Sequence, residues 1–159
     1  MTCGSLPLYC RRMNETNSTL AAALFSELFM ADQLARNRMS KALPRGMELS
    51  HFSVLNHLAN IDEPRSPARL AEVFHLTRGA MTNTLHKLEW AGHIHVTPDW
   101  DDARRKQVVI SPAGRAARDA AMAAITPIIA EIVEKIGADK VKSTLPVLRE
   151  LRTRLGRAD

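Results

Sequence analysis

The sequence predicts a mainly α-helical fold that contains one small β-hairpin. Only 4% of the 159 residues are aromatic, while alanine and leucine are abundant, which favours helices over a sheet sandwich. Apolar residues recur at helical spacing along most of the chain, and β-prone segments occur only at 93–97 and 106–110. The hydrophobic content of 45% and the charged content of 25% are typical of a globular protein with a packed core.

The first apolar pattern predicts one long helix over residues 17–45. Leu20 and Leu24 begin a stripe of apolar side chains at helical spacing, and Pro44 stops it. The residues before it, 1–16, are predicted to form a flexible arm. A helix this long has more apolar surface than one small core covers, so part of it is expected to pack on a second subunit.

Three shorter helices follow, and each has a recognisable start or stop. The second is predicted over residues 49–60. Ser66 can cap the third helix, with Pro67 at its first position, and this short helix ends near residue 75. Thr77 can cap the fourth helix, which Gly92 terminates. The third and fourth helices are thus joined by a tight turn.

The apolar period changes from helical to two after Gly92, which predicts a β-hairpin with a polar loop at 98–105. A long alanine-rich helix then begins at residue 112 and extends to about residue 136, followed by a last helix that ends near residue 155. Pro127 and Pro146 fall inside these helices, so kinks or local breaks are expected there.

The third helix, the tight turn and the fourth helix form a helix-turn-helix, in which the second of the two helices can enter the major groove of DNA. Met81, Leu85 and Leu88 would hold this recognition helix from its inner face. Its outer face carries side chains suited to bases and phosphates. These side chains are Arg78, Thr82, Asn83, His86 and Lys87.

Short motifs run from the third helix through the hairpin. They are Leu70-Ala71, Leu76-Thr77-Arg78, Leu88-Glu89-x-x-Gly92-x-Ile94, Asp99-x-x-Asp102-x-Arg104 and Val108-x-Ile110-Ser111-x-x-Gly114. With these motifs, the segment from about residue 46 to residue 115 resembles the winged helix-turn-helix of MarR-family transcription regulators. The flanking helices match the dimerisation region of that family in place and length.

The resemblance implies a winged helix-turn-helix lobe over 46–112, flanked by dimerisation helices at 17–45 and 113–159. It implies a cytoplasmic homodimer that binds double-stranded DNA at a pseudo-palindromic operator and acts as a ligand-responsive repressor. The arginine that corresponds to Arg104 reaches the minor groove from the wing in this family, and a salt bridge from the aspartate corresponding to Asp102 helps to hold it.

Ten residues are therefore predicted to contact DNA, from the two helices and from the wing. They are Ser66, Thr77, Arg78, Gly79, Thr82, Asn83, His86, Lys87, Arg104 and Arg105. Gly79 is interpreted as a point of close backbone approach, because glycine costs roughly 1 kcal/mol against alanine in a helix interior. Two interpretations of Lys106 are left open: it contacts a phosphate, or it is a lysine at a strand edge that takes no part in binding.

The resemblance also implies an effector, a small aromatic or phenolic anion that binds between the dimerisation helices and the DNA-binding lobe. The predicted lining of this pocket is Phe25, Phe29, His51 and Phe52. Such a ligand acts only if its affinity differs between the two spacings of the recognition helices.

Other function classes have weaker support in the sequence. A regulator of the same fold could respond to a metal through His86, His93 and His95, or to oxidation through Cys3 and Cys10. The peroxide-sensing branch of the family has a cysteine where this chain has Leu24, so the resemblance does not imply that mechanism. A protein-interaction module that does not bind DNA is a further alternative.

No enzyme, cofactor or membrane protein is expected from the sequence. It contains no nucleophile-base-acid set, phosphate loop or metal-binding cluster, and no apolar stretch of about 18 residues that would span a bilayer. The formal net charge of +5 leaves nucleic acid, anionic lipid and acidic ligands open as partners and is a weak signal by itself.

Overall fold

The structure, a computed structural model, describes residues 8–100, 102 and 105–156, with side chains from residue 16 onward. It confirms the mainly helical fold with one hairpin. The elements are α1 (Leu8–Ala42), α2 (Leu49–Ile61), α3 (Pro67–Val73), α4 (Arg78–Trp90), β1 (Ile94–Pro98), β2 (Lys106–Ile110), α5 (Pro112–Ile136) and α6 (Ala138–Gly156). The chain divides within α1 into two compact units, one ending at Arg38 and the other beginning at Met39. No helix in the described ranges is long and apolar enough to cross a membrane.

Helix α1 begins at Leu8, so the prediction of a flexible arm over 1–16 is wrong for residues 8–16. The sequence between Leu8 and Ala42 contains neither proline nor glycine, and the nearest breaker on the N-terminal side is Pro7. The polar residues at 17–19 that resemble a cap lie inside the helix. A capping residue begins a helix only where the preceding residues do not continue it.

The helix-turn-helix has the predicted boundaries. The Ser66 hydroxyl accepts a hydrogen bond of 3.2 Å from the Arg69 backbone N–H, and the Thr77 hydroxyl accepts one of 3.2 Å from the Ala80 N–H. These contacts satisfy backbone donors that the first turn of a helix leaves free. Between the helices, His75 has a φ of 51°, in the left-handed region, which reverses the chain within the tight turn.

The hydrophobic core of the second unit lies between the helices α2, α3 and α4 and the hairpin. The predicted inner face of α4 is confirmed, since Met81, Leu85 and Leu88 are buried. They pack with residues from α2, from α3 and from the hairpin. The other members of this cluster are Val54, Leu55 and Leu58 of α2, Leu70 and Ala71 of α3, and Ile94, Val108 and Ile110 of the hairpin.

The wing consists of β1 and β2 in antiparallel register, with Ile94 opposite Ile110 and Pro98 opposite Lys106. A third chain segment adds to this hairpin, which the sequence did not predict. Arg65 forms a single bridge to Val108, in which each backbone N–H donates to the other residue's carbonyl at 3.1 and 2.8 Å. The bridge attaches the segment before α3 to the wing.

Helices α5 and α6 continue through Pro127 and Pro146. The local breaks that the sequence analysis allowed at these two prolines are therefore absent. A proline inside a helix removes one backbone hydrogen bond. The helical residues on both sides preserve the remaining bonds. Gly137, with a φ of 97°, separates the two helices as predicted.

Candidate nucleic-acid interface

A groove of about 800 Å³ lies between the start of α3, the outer face of α4 and the wing. It brings together side chains that the sequence predicted separately on three elements. The predicted DNA-contacting residues that line it are Ser66, Arg78, Thr82, His86 and Arg105. Four others, Thr77, Gly79, Asn83 and Lys87, lie on or just before α4 and are not part of its lining.

We call this site the basic groove because most of its ionised side chains are cationic. Its cations are Arg65, Arg69, Arg78, Arg105 and Lys106, and its carboxylates are Glu89 and Asp99. Phosphate oxygens are the ligands that such a set of cations prefers. The arrangement, more than the net charge of the chain, is therefore suited to a polyanion.

Arg78 and Lys106 have no ion-pair partner among the described residues, so both are available to a ligand. Arg69 pairs with Glu72 at 3.0 Å, and Arg65 pairs with Glu63 at 3.0 Å. These two pairs are at the surface and contribute little to stability. A phosphate can replace the carboxylate at small cost.

The exposed face of α4 retains most of its hydrogen-bonding capacity. Within the described part of the chain, the Asn83 and His86 side chains are exposed and make no hydrogen bond. The Thr82 hydroxyl donates to the Arg78 carbonyl at 2.8 Å, which leaves its oxygen free to accept. These groups can therefore meet the edges of bases without first breaking a contact within the protein.

Gly79 is exposed near the start of α4, and a Cβ atom added there would meet nothing within 4 Å. Its backbone is not in the left-handed region that favours glycine. The fold of this chain therefore does not require glycine at position 79. The interpretation of Gly79 as a point of close approach to DNA is compatible with this geometry and remains a prediction.

Lys87 has a partner that the sequence did not suggest. Its Nζ donates to the Glu48 carboxylate at 2.8 Å, and this hydrogen bond holds the pKa of Glu48 below its ordinary value. Glu48 lies just before α2, where it also forms a capping box with His51. A phosphate contact by Lys87 would have to compete with this ion pair, so its predicted role in DNA binding is still untested.

The loop of the wing is held by contacts between its two sides. Gln107 Nε2 donates to Asp99 Oδ2 at 2.5 Å, and the Asp99 backbone N–H donates to the Arg105 carbonyl at 2.8 Å. Arg105 Nε lies 3.4 Å from Asp102 Oδ2. Arg104 lies outside the described residues, so its predicted salt bridge with Asp102 and its contact with the minor groove remain predictions.

Sequence reasoning missed Arg65 and Arg69, which belong to the basic groove. Arg69 lies three residues after the Ser66 cap, and the exposed first turn of a helix next to a recognition helix is a signal that could have identified it. The bridge that places Arg65 beside the wing involves one residue only. No periodic pattern in the sequence predicts such a single bridge.

The four residues of the predicted effector pocket belong to different units. Phe25 and Phe29 belong to the first unit, where their ring centroids are 6.0 Å apart at an interplanar angle of 44°. His51 is buried and Phe52 is half-buried on α2 in the second unit. The pocket itself stays a prediction.

His51 is the one titratable residue of the predicted pocket set, and only 7% of its surface is exposed. Its Nδ1 accepts a hydrogen bond of 3.3 Å from the Glu48 backbone N–H, and its buried Nε2 has no hydrogen-bond partner. Burial lowers its pKa, the carboxylate of Glu48 opposes that shift, and the charges of Lys87 and His93 add to it. Burial and the nearby Arg65 also lower the pKa of His57. Both histidines therefore favour the neutral form in the folded chain.

These two histidines predict a pH dependence of stability. Because their pKa values are lower in the folded than in the unfolded chain, the unfolded chain binds more protons. The free energy of unfolding should therefore fall as the pH drops below about 6.5, the ordinary value for histidine. Urea unfolding between about pH 5.5 and 7.5 measures the slope of the free energy of unfolding against pH.

His51→Asn, which keeps an acceptor near the Glu48 N–H, should reduce this slope. His95→Asn, on an exposed position of β1, should leave it unchanged, and an equal slope in all three proteins would contradict the assignment.

The described part of the chain contains no group of three or more histidine, cysteine, aspartate or glutamate residues that could hold a metal ion. The metal-responsive alternative, with His86, His93 and His95, thus has no converging site among these residues. Cys3 lies outside the described residues, and the side chain of Cys10 is also outside them. The thiol-responsive alternative stays untested.

Comparison with known proteins gives a family match for part of the chain and a fold for most of it. Residues 45–105 match the sequence model of the MarR family, whereas a search of curated proteins finds no match. Among solved structures, the chain is similar to the transcriptional regulator BldR from Sulfolobus solfataricus, with a TM-score of 0.68 and 23% identity over 94% of this chain and 99% of that one.

Two further structures carry ligands. One is a mutant of MarR from E. coli complexed with operator DNA, with a TM-score of 0.73 and 21% identity over 81% of this chain and 93% of that one. The other is CouR from Rhodococcus jostii bound to p-coumaroyl-CoA, with a TM-score of 0.72 and 23% identity over 83% of this chain and 93% of that one.

The match to the family covers α2, the helix-turn-helix, β1 and the loop of the wing. The solved structures share the arrangement of helices and hairpin over a larger part of the chain. The sequence match and the shared fold therefore agree. Residues 45–105 match the MarR family, and the chain has the winged helix-turn-helix fold of the transcriptional regulators to which it is similar.

Proposed function

We propose that this chain is a sequence-specific DNA-binding transcription regulator that binds a pseudo-palindromic operator as a homodimer. The observation that carries the proposal is the basic groove, in which α4, the start of α3 and the wing present cations around one recognition helix. In this proposal each subunit inserts α4 into a major groove and places its wing at the flanking minor groove.

The distribution of charge supports DNA over other polyanions. Arg65 and Arg69 come from the start of α3, Arg105 and Lys106 from the wing, and Arg78 from α4. Cations on two elements beside a groove-reading helix match the phosphate strands that border a major groove. The outer face of α4 adds neutral donors and acceptors, which can discriminate between bases, to this charge.

Exposed apolar side chains support the proposed homodimer. Leu20, Leu24 and Leu34 of α1 are exposed in the single chain. On α5, the exposed Ile129 and Val133 lie one turn apart. Stripes of this kind on long helices are typical of subunit interfaces. Two chains bound at one operator would act as a repressor by covering a promoter.

The proposal includes a small aromatic or phenolic effector. CouR, which shares the fold, is bound to p-coumaroyl-CoA, a compound with a phenolic ring. On α2, His51 and Phe52 would supply a polar and an apolar group of the kind that an aromatic anion needs. Its binding would regulate DNA affinity only if it favours one spacing of the two recognition helices.

Selection of DNA tests the proposed function. The chain is used to select duplexes of about 30 base pairs from a random pool, long enough for two half-sites one helical turn apart. We call the duplex that is recovered the selected duplex. Two inverted copies of one short sequence are expected, and the absence of any preferred sequence would contradict the proposal.

Asn83→Ala should change base preference more than overall affinity. Asparagine recognises adenine through two hydrogen bonds, and loss of such a pair costs about 1–3 kcal/mol of discrimination. The variant should therefore tolerate substitutions at one position of each half-site and keep the preference at the others. Fluorescence anisotropy with each single-base variant of the selected duplex measures this. Equal losses across all positions would contradict a base contact by Asn83.

A further inference from the structure

The recognition helix α4 has two flanks on its exposed face, and only one of them lines the basic groove. Arg78, Thr82 and His86 recur at intervals of four residues on the groove flank. Asn83 and Lys87, also four residues apart, form the other flank and are not part of the lining. The sequence of α4 contains two lysine or arginine residues, Arg78 and Lys87. Lys87 is therefore the cation that α4 carries away from the basic groove.

Lys87 is neutralised by a carboxylate from another element. Its Nζ donates to Glu48 Oε1 at 2.8 Å, and the Ser50 hydroxyl donates to Glu48 Oε2 at 3.3 Å. Both oxygens of the carboxylate are thus engaged. The hydrogen bond from Lys87 also lowers the pKa of Glu48, so the carboxylate is ionised at neutral pH. The ion pair is consequently complete under the conditions in which the chain would meet DNA.

The backbone of Glu48 is fixed on both sides by the start of α2. Its N–H donates to the Nδ1 atom of the buried His51 at 3.3 Å, and its carbonyl accepts from the Phe52 N–H at 3.0 Å. These bonds belong to the first turn of α2, which packs on the common core. The carboxylate is therefore presented to α4 from a fixed position.

This ion pair differs from those at the edge of the basic groove. Arg65 pairs with Glu63 and Arg69 pairs with Glu72, so each arginine has a partner within three residues. Lys87 and Glu48 are 39 residues apart and join two helices. Their side chains are 48% and 56% exposed. An ion pair this exposed is weak, and a phosphate can reach it from solvent.

We propose that Glu48 is an autoinhibitory residue, which holds Lys87 away from the phosphate strand on the side of α4 opposite the basic groove. The proposal rests on the proposed function, to which it adds a control of affinity. Phosphate strands border a major groove on both sides, and the basic groove supplies cations on one of them. A lysine that neutralises a phosphate releases counterions, whereas a lysine bound to a carboxylate of its own chain does not. The chain thus binds its operator less tightly than its cations would allow.

Glu48→Gln tests this role, because the amide keeps an acceptor at the start of α2 and removes the charge. Affinity for the selected duplex should rise by roughly three- to fivefold at about 0.1 M salt. The slope of log K against log salt concentration should become steeper by about 0.9, as expected for one additional phosphate contact. Fluorescence anisotropy over a series of salt concentrations measures both quantities. Urea unfolding should show similar stability for the variant and the original chain.

Two controls separate the release of Lys87 from a general loss of negative charge. Glu48→Gln combined with Lys87→Ala should bind within about 1.5-fold of Lys87→Ala alone, with the same salt slope, because no lysine is then released. Glu150→Gln breaks another exposed ion pair, in which Arg154 donates to Glu150 at 2.7 Å on α6. That variant should bind within about 1.5-fold of the original chain.

A gain of less than about twofold in Glu48→Gln would overturn the proposal. A gain that persists in the absence of Lys87 would overturn it as well, since Glu48 would then only repel the phosphates. If the original chain selects no duplex at all, the proposed function fails first. This outcome is distinguishable, because no affinity is then measured for any variant.

Discussion

Gly114→Ala is expected to destabilise the chain by about 3 kcal/mol, the upper part of the range for overpacked sites. Gly114 is buried in the first turn of α5, where its N–H donates to the Ser111 hydroxyl at 2.9 Å. An added Cβ would overlap the His93 carbonyl oxygen and lie 2.9 Å from the His93 carbonyl carbon. That carbonyl is held by a 3.0 Å bond from the Ser111 N–H. The overlap can be relieved only by moving α5 away from β1.

Urea unfolding followed by circular dichroism measures this loss as a lower midpoint. Gly156→Ala is the matched control, because Gly156 also lies in a helix and an added Cβ there would meet nothing within 4 Å. The control should keep or slightly raise the stability, since alanine is favoured over glycine in helices. Equal midpoints for the two variants would show that the contact at Gly114 does not restrict the junction of α5 and the wing.

Arg78→Ala is expected to reduce affinity for the selected duplex by roughly 5- to 150-fold, which corresponds to about 1–3 kcal/mol. Arg78 lines the basic groove at the first position of α4, and it has no ion-pair partner among the described residues. Its removal should therefore cost binding energy without costing stability. The free energy of unfolding should change by less than about 0.5 kcal/mol.

The salt dependence of binding separates two roles for Arg78. If the side chain neutralises a phosphate, the slope of log K against log salt concentration should fall by about 0.9. If it binds a guanine, base preference should be lost at one operator position. Arg45→Ala is the control, since Arg45 is exposed in the loop before α2 and does not line the groove. Equal losses of affinity in the two variants would show that Arg78 contributes to binding only through the net charge of the chain.

The sequence could predict those parts of the fold that depend on residues close together in the chain. Ser66 and Thr77 each cap a helix through the backbone N–H three residues later, and Gly92 ends α4 with a φ of 71°. Such signals act within one turn. The outer face of α4 could be predicted for the same reason, because helical spacing alone separates Arg78 and Thr82 from the buried Met81.

Contacts between distant residues could not be predicted in this way. Lys87 pairs with Glu48, 39 residues away, and Arg65 joins the wing through a single bridge to Val108. Neither contact leaves a periodic pattern in the sequence, because each depends on the packing of separate elements. The start of α1 was missed for a different reason. Polar residues at 17–19 resemble a cap, but no proline or glycine between Leu8 and residue 17 stops the helix from continuing through them.

The central claim is that the basic groove binds DNA with α4 in the major groove, one chain to each half-site. Hydroxyl-radical and methylation footprints of the chain on the selected duplex test this claim most directly. We expect two protected major-groove segments about one helical turn apart, each flanked by a protected minor groove, with two chains bound to one duplex. A single protected segment with one chain, or protection confined to the minor groove, would contradict the account.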